Sequence, residues 1–203
     1  MSKKQDHIQD IAEIRSMMER SSKFLSLSGL SGVLAGFYAL TGVYLAYSLY
    51  GFRPTEIITN KQASDFSEVV VIALLVLILA IGTAVTFSYR RATSKGEKIW
   101  NSTSRRLLVN VSVPLVAGAG LALVLFSKGF VGLIPSITLL FYGLALFTGG
   151  SFTFNEIKFL GVIQILLGLI AAYFVEYALI FWAVGFGFTH IIYGIYIHIR
   201  HKQ

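Results

Sequence analysis

Six long stretches without any Asp, Glu, Lys or Arg restrict the fold of this chain more than any other feature of its sequence. They cover residues 24–52, 69–89, 107–127, 129–155, 159–175 and 177–199. A helix needs about 20 apolar residues to cross the ~30 Å hydrocarbon layer of a bilayer. Helices of a soluble bundle keep a charged outer side, and none of the six stretches has one. The sequence therefore predicts an all-α, polytopic integral membrane protein.

The predicted architecture is a six-helix transmembrane bundle over residues 24–199, followed by a short tail at 200–203. The low share of charged residues, 13% against 55% apolar, agrees with a surface that faces lipid. Pro114 and Pro135 each lie about a third of the way along a span, and we expect both to kink their helices. The predicted spans are about 24–50, 69–89, 107–127, 130–152, 157–175 and 177–199.

The positions of the basic residues predict the orientation. If the N-terminus is cytoplasmic, 14 of the 17 Lys and Arg lie on the inner side and only Arg53, Lys61 and Lys128 lie outside. Inner loops of membrane proteins carry such an excess. The sequence thus predicts a multi-pass protein of the cell (plasma or inner) membrane with both termini cytoplasmic. Anionic lipid head groups are the expected partners of the basic residues at the inner loop: Arg90, Arg91, Arg105 and Arg106.

Residues 1–23 precede the first span and are predicted to form a short amphipathic cytoplasmic helix. Ile8, Ile11, Ile14 and Met18 recur at helical spacing along one side. Acidic and basic residues are roughly balanced in this segment, unlike in helices that seek lipid. It is interpreted either as a lead-in to the first span or as a helix that binds a cytoplasmic partner.

Small residues recur at intervals of four or seven within the spans and predict where helices pack closely. Glycine and serine at such spacing let two backbones approach in a membrane. We expect these residues to form seams within one bundle, although a homo-oligomer is also possible. They are Ser28, Gly32, Gly36, Gly118, Gly187 and Gly194.

A functional site, if there is one inside the spans, has to use uncharged polar residues. His190 and Gln164 lie near the middle of the last two spans, at similar depth because a tight turn joins them. His190 can change charge near neutral pH, so the cluster could serve a small solute or a proton. The alternative is a neutral histidine that holds helices together through Gln164 or a tyrosine hydroxyl. The full candidate set is His190, Gln164, Thr83, Tyr142 and Tyr38.

Several classes of function are disfavoured. The chain has no cysteine, and His198 and His201 stand beside Arg200 and Lys202, which oppose a cation. We therefore expect no metal and no cofactor. With no carboxylate inside a span and no nucleophile elbow, an enzyme is not expected. The inner loop from Arg90 to Arg106 has only Trp100 among its basic residues, so nucleic acid is not an expected partner.

Two functions stay open at this point. The first is a small non-enzymatic permease or channel-like protein whose pore runs past the polar candidate residues. The second is an accessory or regulatory membrane subunit that binds a cytoplasmic or membrane partner. In size and six-helix plan the chain resembles several families of small channels and uptake proteins, including urea and acetate channels. That resemblance concerns architecture alone and carries no residue over.

Overall fold

A computed structural model describes residues 28–55, 57, 66–94, 96 and 100–200. Those residues are almost entirely helical and contain no strand. Six of the helices are long and apolar enough to cross a membrane, by length and composition. The predicted amphipathic helix at 1–23 and the tail residues 201–203 lie outside the described residues.

The six helices fall on the six uncharged stretches. We name them α1 to α6 in chain order, and α6 is irregular along its length. They are α1 (Gly29–Ser48), α2 (Ser67–Ser94), α3 (Ser102–Ser127), α4 (Ile134–Gly149), α5 (Asn155–Tyr173) and α6 (Val175–Arg200).

Local sequence explains where two of these helices begin. Asn101 caps α3, because its side-chain oxygen accepts from the amide of Ser104 at 2.8 Å while the Ser104 hydroxyl accepts from the Asn101 amide at 2.9 Å. A 3₁₀ turn, Val131–Leu133, leads into α4, and Pro135 lies in the first turn of that helix. The predicted kink at Pro135 is therefore wrong, because a first-turn proline interrupts no hydrogen bond within the helix. Pro114 lies inside α3.

The helices pack in a clear order. α4 and α5 form the most extensive pair, and α6 packs against both of them and against α1. α3 packs mainly on α4, and α2 mainly on α1. As a result, α2 and α3 are peripheral: none of the most apolar stretch of α2 is buried, and only 6% of that of α3 is. The polar residues of interest lie in the central group of α4, α5 and α6.

Candidate functional site

The backbone carbonyl of Gly185 is the centre of a buried polar cluster between α5 and α6. It accepts from the Gln164 side-chain amide at 2.6 Å, from a ring nitrogen of His190 at 2.9 Å, and from the hydroxyl of Thr189. Gln164 also donates to the Thr189 hydroxyl at 2.9 Å. One carbonyl thus ties the middle of α5 to two successive side chains of α6.

The backbone of α6 is irregular where this carbonyl lies. Ala183–Phe188 forms a π-helical segment between two α-helical ones, Ala178–Trp182 and Thr189–Arg200. Such segments widen the helical turn and leave carbonyls available to side chains, and they are frequent at functional sites. Here three side-chain donors reach the available Gly185 carbonyl.

The hydrogen bonds of His190 define its tautomer. The Gly185 carbonyl can only accept, so the proton lies on Nδ1 of His190. Nε2 is then an acceptor, and the Tyr142 hydroxyl of α4 donates to it at 2.8 Å. Both ring nitrogens are therefore occupied while the imidazole is neutral. A tyrosine hydroxyl is one of the two partners that the alternative of a neutral, structural histidine names.

Aromatic side chains continue the contact between α4 and α6 on one side of the cluster. The ring of Phe186 lies between those of Trp182 and His190, with centroids 4.7 and 5.9 Å away, and Tyr142 packs beside it at 4.9 Å. The Trp182 indole donates to the hydroxyl of Thr138 at 3.1 Å. Trp182, Phe186 and His190 follow one another at intervals of four residues, which places them along one side of α6.

Close packing of the helices buries the polar cluster. Gln164 is 0% exposed and His190 is 6% exposed. A Cβ on Gly185 would meet the side chain of Leu139 and would lie 2.6 Å from Oε1 of Gln164, so a larger residue here would displace both of these side chains. Among the described residues, the buried oxygens of Gln164 and Ser136 have no hydrogen-bond donor. Turning the Gln164 amide over would set its oxygen against the Gly185 carbonyl, so the amide keeps its orientation.

Three of the five predicted candidates come together in the cluster: His190, Gln164 and Tyr142. Tyr38 is half-buried on α1, and the hydroxyl of Thr83 returns to the carbonyls of Leu79 and Ala80 in its own helix. Neither joins the cluster. Sequence reasoning missed Gly185, Thr189, Trp182 and Thr138, and the four-residue spacing of Trp182, Phe186 and His190 was the signal that could have found the aromatic side.

The predicted packing glycines lie between helices of one chain. A Cβ on Gly36 would be 2.6 Å from the Gly187 carbonyl oxygen, and one on Gly194 would be 2.6 Å from that of Gly29. A Cβ on Gly32 would lie 3.3 Å from the Cα of Gly194. These residues form the seam between α1 and α6. Gly118 instead meets the side chain of Phe141 across α3 and α4, and Ser28 precedes α1 without capping it through its side chain.

An ion pair joins the ends of α5 and α6 beyond the cluster. The guanidinium of Arg200 lies 2.7 Å from the carboxylate of Glu156 and also contacts the Tyr196 hydroxyl.

No group of three or more metal-ligating side chains is gathered within the described residues. Comparison with known family models, curated proteins and solved structures finds no match to the chain. Its function has to be argued from this geometry.

Proposed function

We propose that the chain is a multi-pass integral membrane protein with six spans and both termini in the cytoplasm. The lengths and composition of the six helices support the spans. The distribution of Lys and Arg, 14 inside and 3 outside, supports the orientation. The bundle belongs to the cell membrane in this proposal, with the C-terminal end of α2 and the start of α3 on the cytoplasmic side.

The absence of native cysteine provides a direct test of the orientation. A single cysteine introduced by Ser64→Cys is expected to react with an impermeant maleimide added to intact cells. One introduced by Ser94→Cys is expected to react only after the membrane is opened. Labelling is read by the mass shift of the purified chain, and the reverse pattern would contradict the proposed orientation.

Of the two functions that the sequence leaves open, the closed polar cluster favours the accessory or regulatory subunit. A permease needs its polar residues along a path that a solute can enter, whereas Gln164 and His190 are buried in helix contacts. Every hydrogen-bonding nitrogen of His190 already has a protein partner. In this proposal the cluster acts as a neutral fastening between α4, α5 and α6.

Two parts of the chain remain to contact a partner in this proposal. The segment 1–23 has the sequence of an amphipathic helix. The peripheral helices α2 and α3 expose almost their whole length. An accessory subunit needs such surfaces, because its work is done by contact with another protein.

The N-terminal segment is expected to hold the partner through its apolar side. The full chain, taken from its native membrane in polymer nanodiscs, should migrate as a complex larger than the chain alone. Replacing Ile11 and Ile14 by Glu should abolish that complex, because two charges interrupt the apolar side. Gln9→Glu with Ser16→Glu adds the same charge off that side and should leave the complex intact. Size and composition are measured by native mass spectrometry.

Measured transport of a solute would contradict the proposal of an accessory subunit. Purified protein in liposomes should give no flux of urea, acetate or protons above that of empty liposomes. A saturable or pH-dependent flux that disappears in His190→Leu, with the variant still folded, would overturn the accessory proposal. It would restore the permease hypothesis with His190 as its site.

A further inference from the structure

A groove between α3 and α4 opens on the surface of the bundle, separate from the buried cluster. Its walls are mostly apolar and exposed, and among the described residues the polar side chains that line it are those of Asn110 and Thr148. The lining residues are Val109, Asn110, Val113, Pro114, Leu144 and Thr148. Val109 lies near the start of α3 and Thr148 near the end of α4. In the proposed orientation both positions belong to the cytoplasmic half of the membrane.

Two basic side chains lie at the inner end of this groove. Arg105 and Arg106 are exposed and precede Val109 and Asn110 by four residues, so they lie one helical turn further in on the same side of α3. Lys158 lies against Gly150 on the side of α4 that faces α5, so it is not part of this rim.

Polar backbone and side-chain groups lie about one helical turn deeper in the membrane than these cations. The Asn110 amide donates one hydrogen to the Arg106 carbonyl at 2.8 Å, which leaves its other hydrogen and its oxygen for a further partner. Pro114 has no amide hydrogen to give to the Asn110 carbonyl four residues earlier. Asn110 is about 6 Å deeper than Arg106 along the helix, the level at which the ester groups of a phospholipid lie below its phosphate.

We propose that this groove binds one anionic phospholipid of the cytoplasmic leaflet. An acyl chain lies along Val109, Val113 and Leu144, the ester region meets Asn110, and the phosphate lies between Arg105 and Arg106. The charge of the rim and the apolar walls complement the two ends of such a lipid, and basic pockets between helices on this side of a membrane bind anionic head groups. The inference rests on the orientation proposed above.

Lipid retention measures the proposed site directly. The delipidated full chain is mixed in detergent with dioleoyl phosphatidylglycerol, or with dioleoyl phosphatidylcholine as neutral reference, and bound lipid is counted by native mass spectrometry. Wild type should retain the anionic lipid preferentially. Arg105→Gln with Arg106→Gln should weaken its binding by about tenfold or more, because each Arg near the head group contributes several-fold. Val113→Trp should fill the groove and also reduce retention; Val113 is 66% exposed, so its replacement disturbs no packing.

The matched control is Arg90→Gln with Arg91→Gln, which removes the same charge from the inner end of α2 without touching the groove. Arg90 and Arg91 attract anionic head groups only as part of the general basic surface, so their loss should weaken binding clearly less than the loss of Arg105 and Arg106. If the two double variants lose the same amount of anionic-lipid binding, the binding is a general attraction by a basic surface, and the proposed site is overturned. Unchanged retention in Val113→Trp would overturn it as well, and a changed oligomeric mass there would assign the groove to a protein contact instead. The labelling of Ser64→Cys and Ser94→Cys tests the orientation separately.

Discussion

Gly161→Ala is expected to lower the free energy of unfolding by about 3 kcal/mol, the upper end of the usual cost of overpacking. A Cβ at this position would lie 2.7 Å from the Gly143 carbonyl oxygen and 2.7 Å from the amide nitrogen of Phe147. Both are backbone atoms of α4, so the whole helix would have to move. Gly143→Ala should behave alike, because its Cβ would lie 2.7 Å from the Gly161 carbonyl oxygen and from the Ile165 amide.

Two other helical glycines serve as controls for this result. Gly82 on α2 and Gly120 on α3 have no neighbour within 4 Å of an added Cβ. Alanine should be tolerated there, or slightly favoured, because it suits a helix better than glycine. Stability is measured by titrating the protein from mild detergent into dodecyl sulfate and following the loss of tertiary structure. Equal losses at all four positions would contradict the close contact of α4 with α5.

This contrast shows what the sequence could predict about packing. Spacing alone pointed to Gly36 and Gly187, and a Cβ on Gly36 would lie 2.6 Å from the Gly187 carbonyl oxygen. It did not identify Gly161, although Gly161 and Gly168 repeat at the same seven-residue interval on α5. Nor does spacing separate Gly118, which meets Phe141, from Gly120, which meets nothing. The side of a helix that faces protein depends on its neighbours, and those are a property of the folded bundle.

The polar site was predictable to a similar degree. Absence of charge along the spans and the depth of His190 and Gln164 placed both near the centre, since depth follows from counting residues at 1.5 Å each. Thr83 has a comparable depth but bonds to its own helix, an option always open to threonine. The π-helical segment at Ala183–Phe188 gave no sequence signal, and the bonds from Gln164 and His190 to the Gly185 carbonyl within it are contacts of the folded bundle.

His190→Leu and Tyr142→Phe are expected to be strongly coupled. Each change alone leaves a buried polar atom without its partner, which costs about 1–3 kcal/mol. The second change should then cost little, so the double-mutant cycle should give a coupling energy of about 1–2 kcal/mol. The free energies of unfolding of the wild type, the two single variants and the double variant are measured in dodecyl sulfate. Thr86→Val is the control, since its hydroxyl bonds to the Gly82 carbonyl of its own exposed helix at 2.7 Å, and it should not couple to either change.

The same pair has a spectroscopic signature that a loosely packed histidine would lack. With Nδ1 donating to Gly185 and Nε2 accepting from Tyr142, the nitrogen resonances of His190 should show a neutral ring protonated on Nδ1, the less common tautomer in water. Tyr142→Phe should remove the bond at Nε2 and shift that nitrogen alone. Additive stabilities, or a ring protonated on Nε2, would contradict the proposed bonding. The proton position follows from the Gly185 carbonyl, which can bind His190 only through a protonated Nδ1 and so leaves Nε2 to accept from Tyr142 of α4.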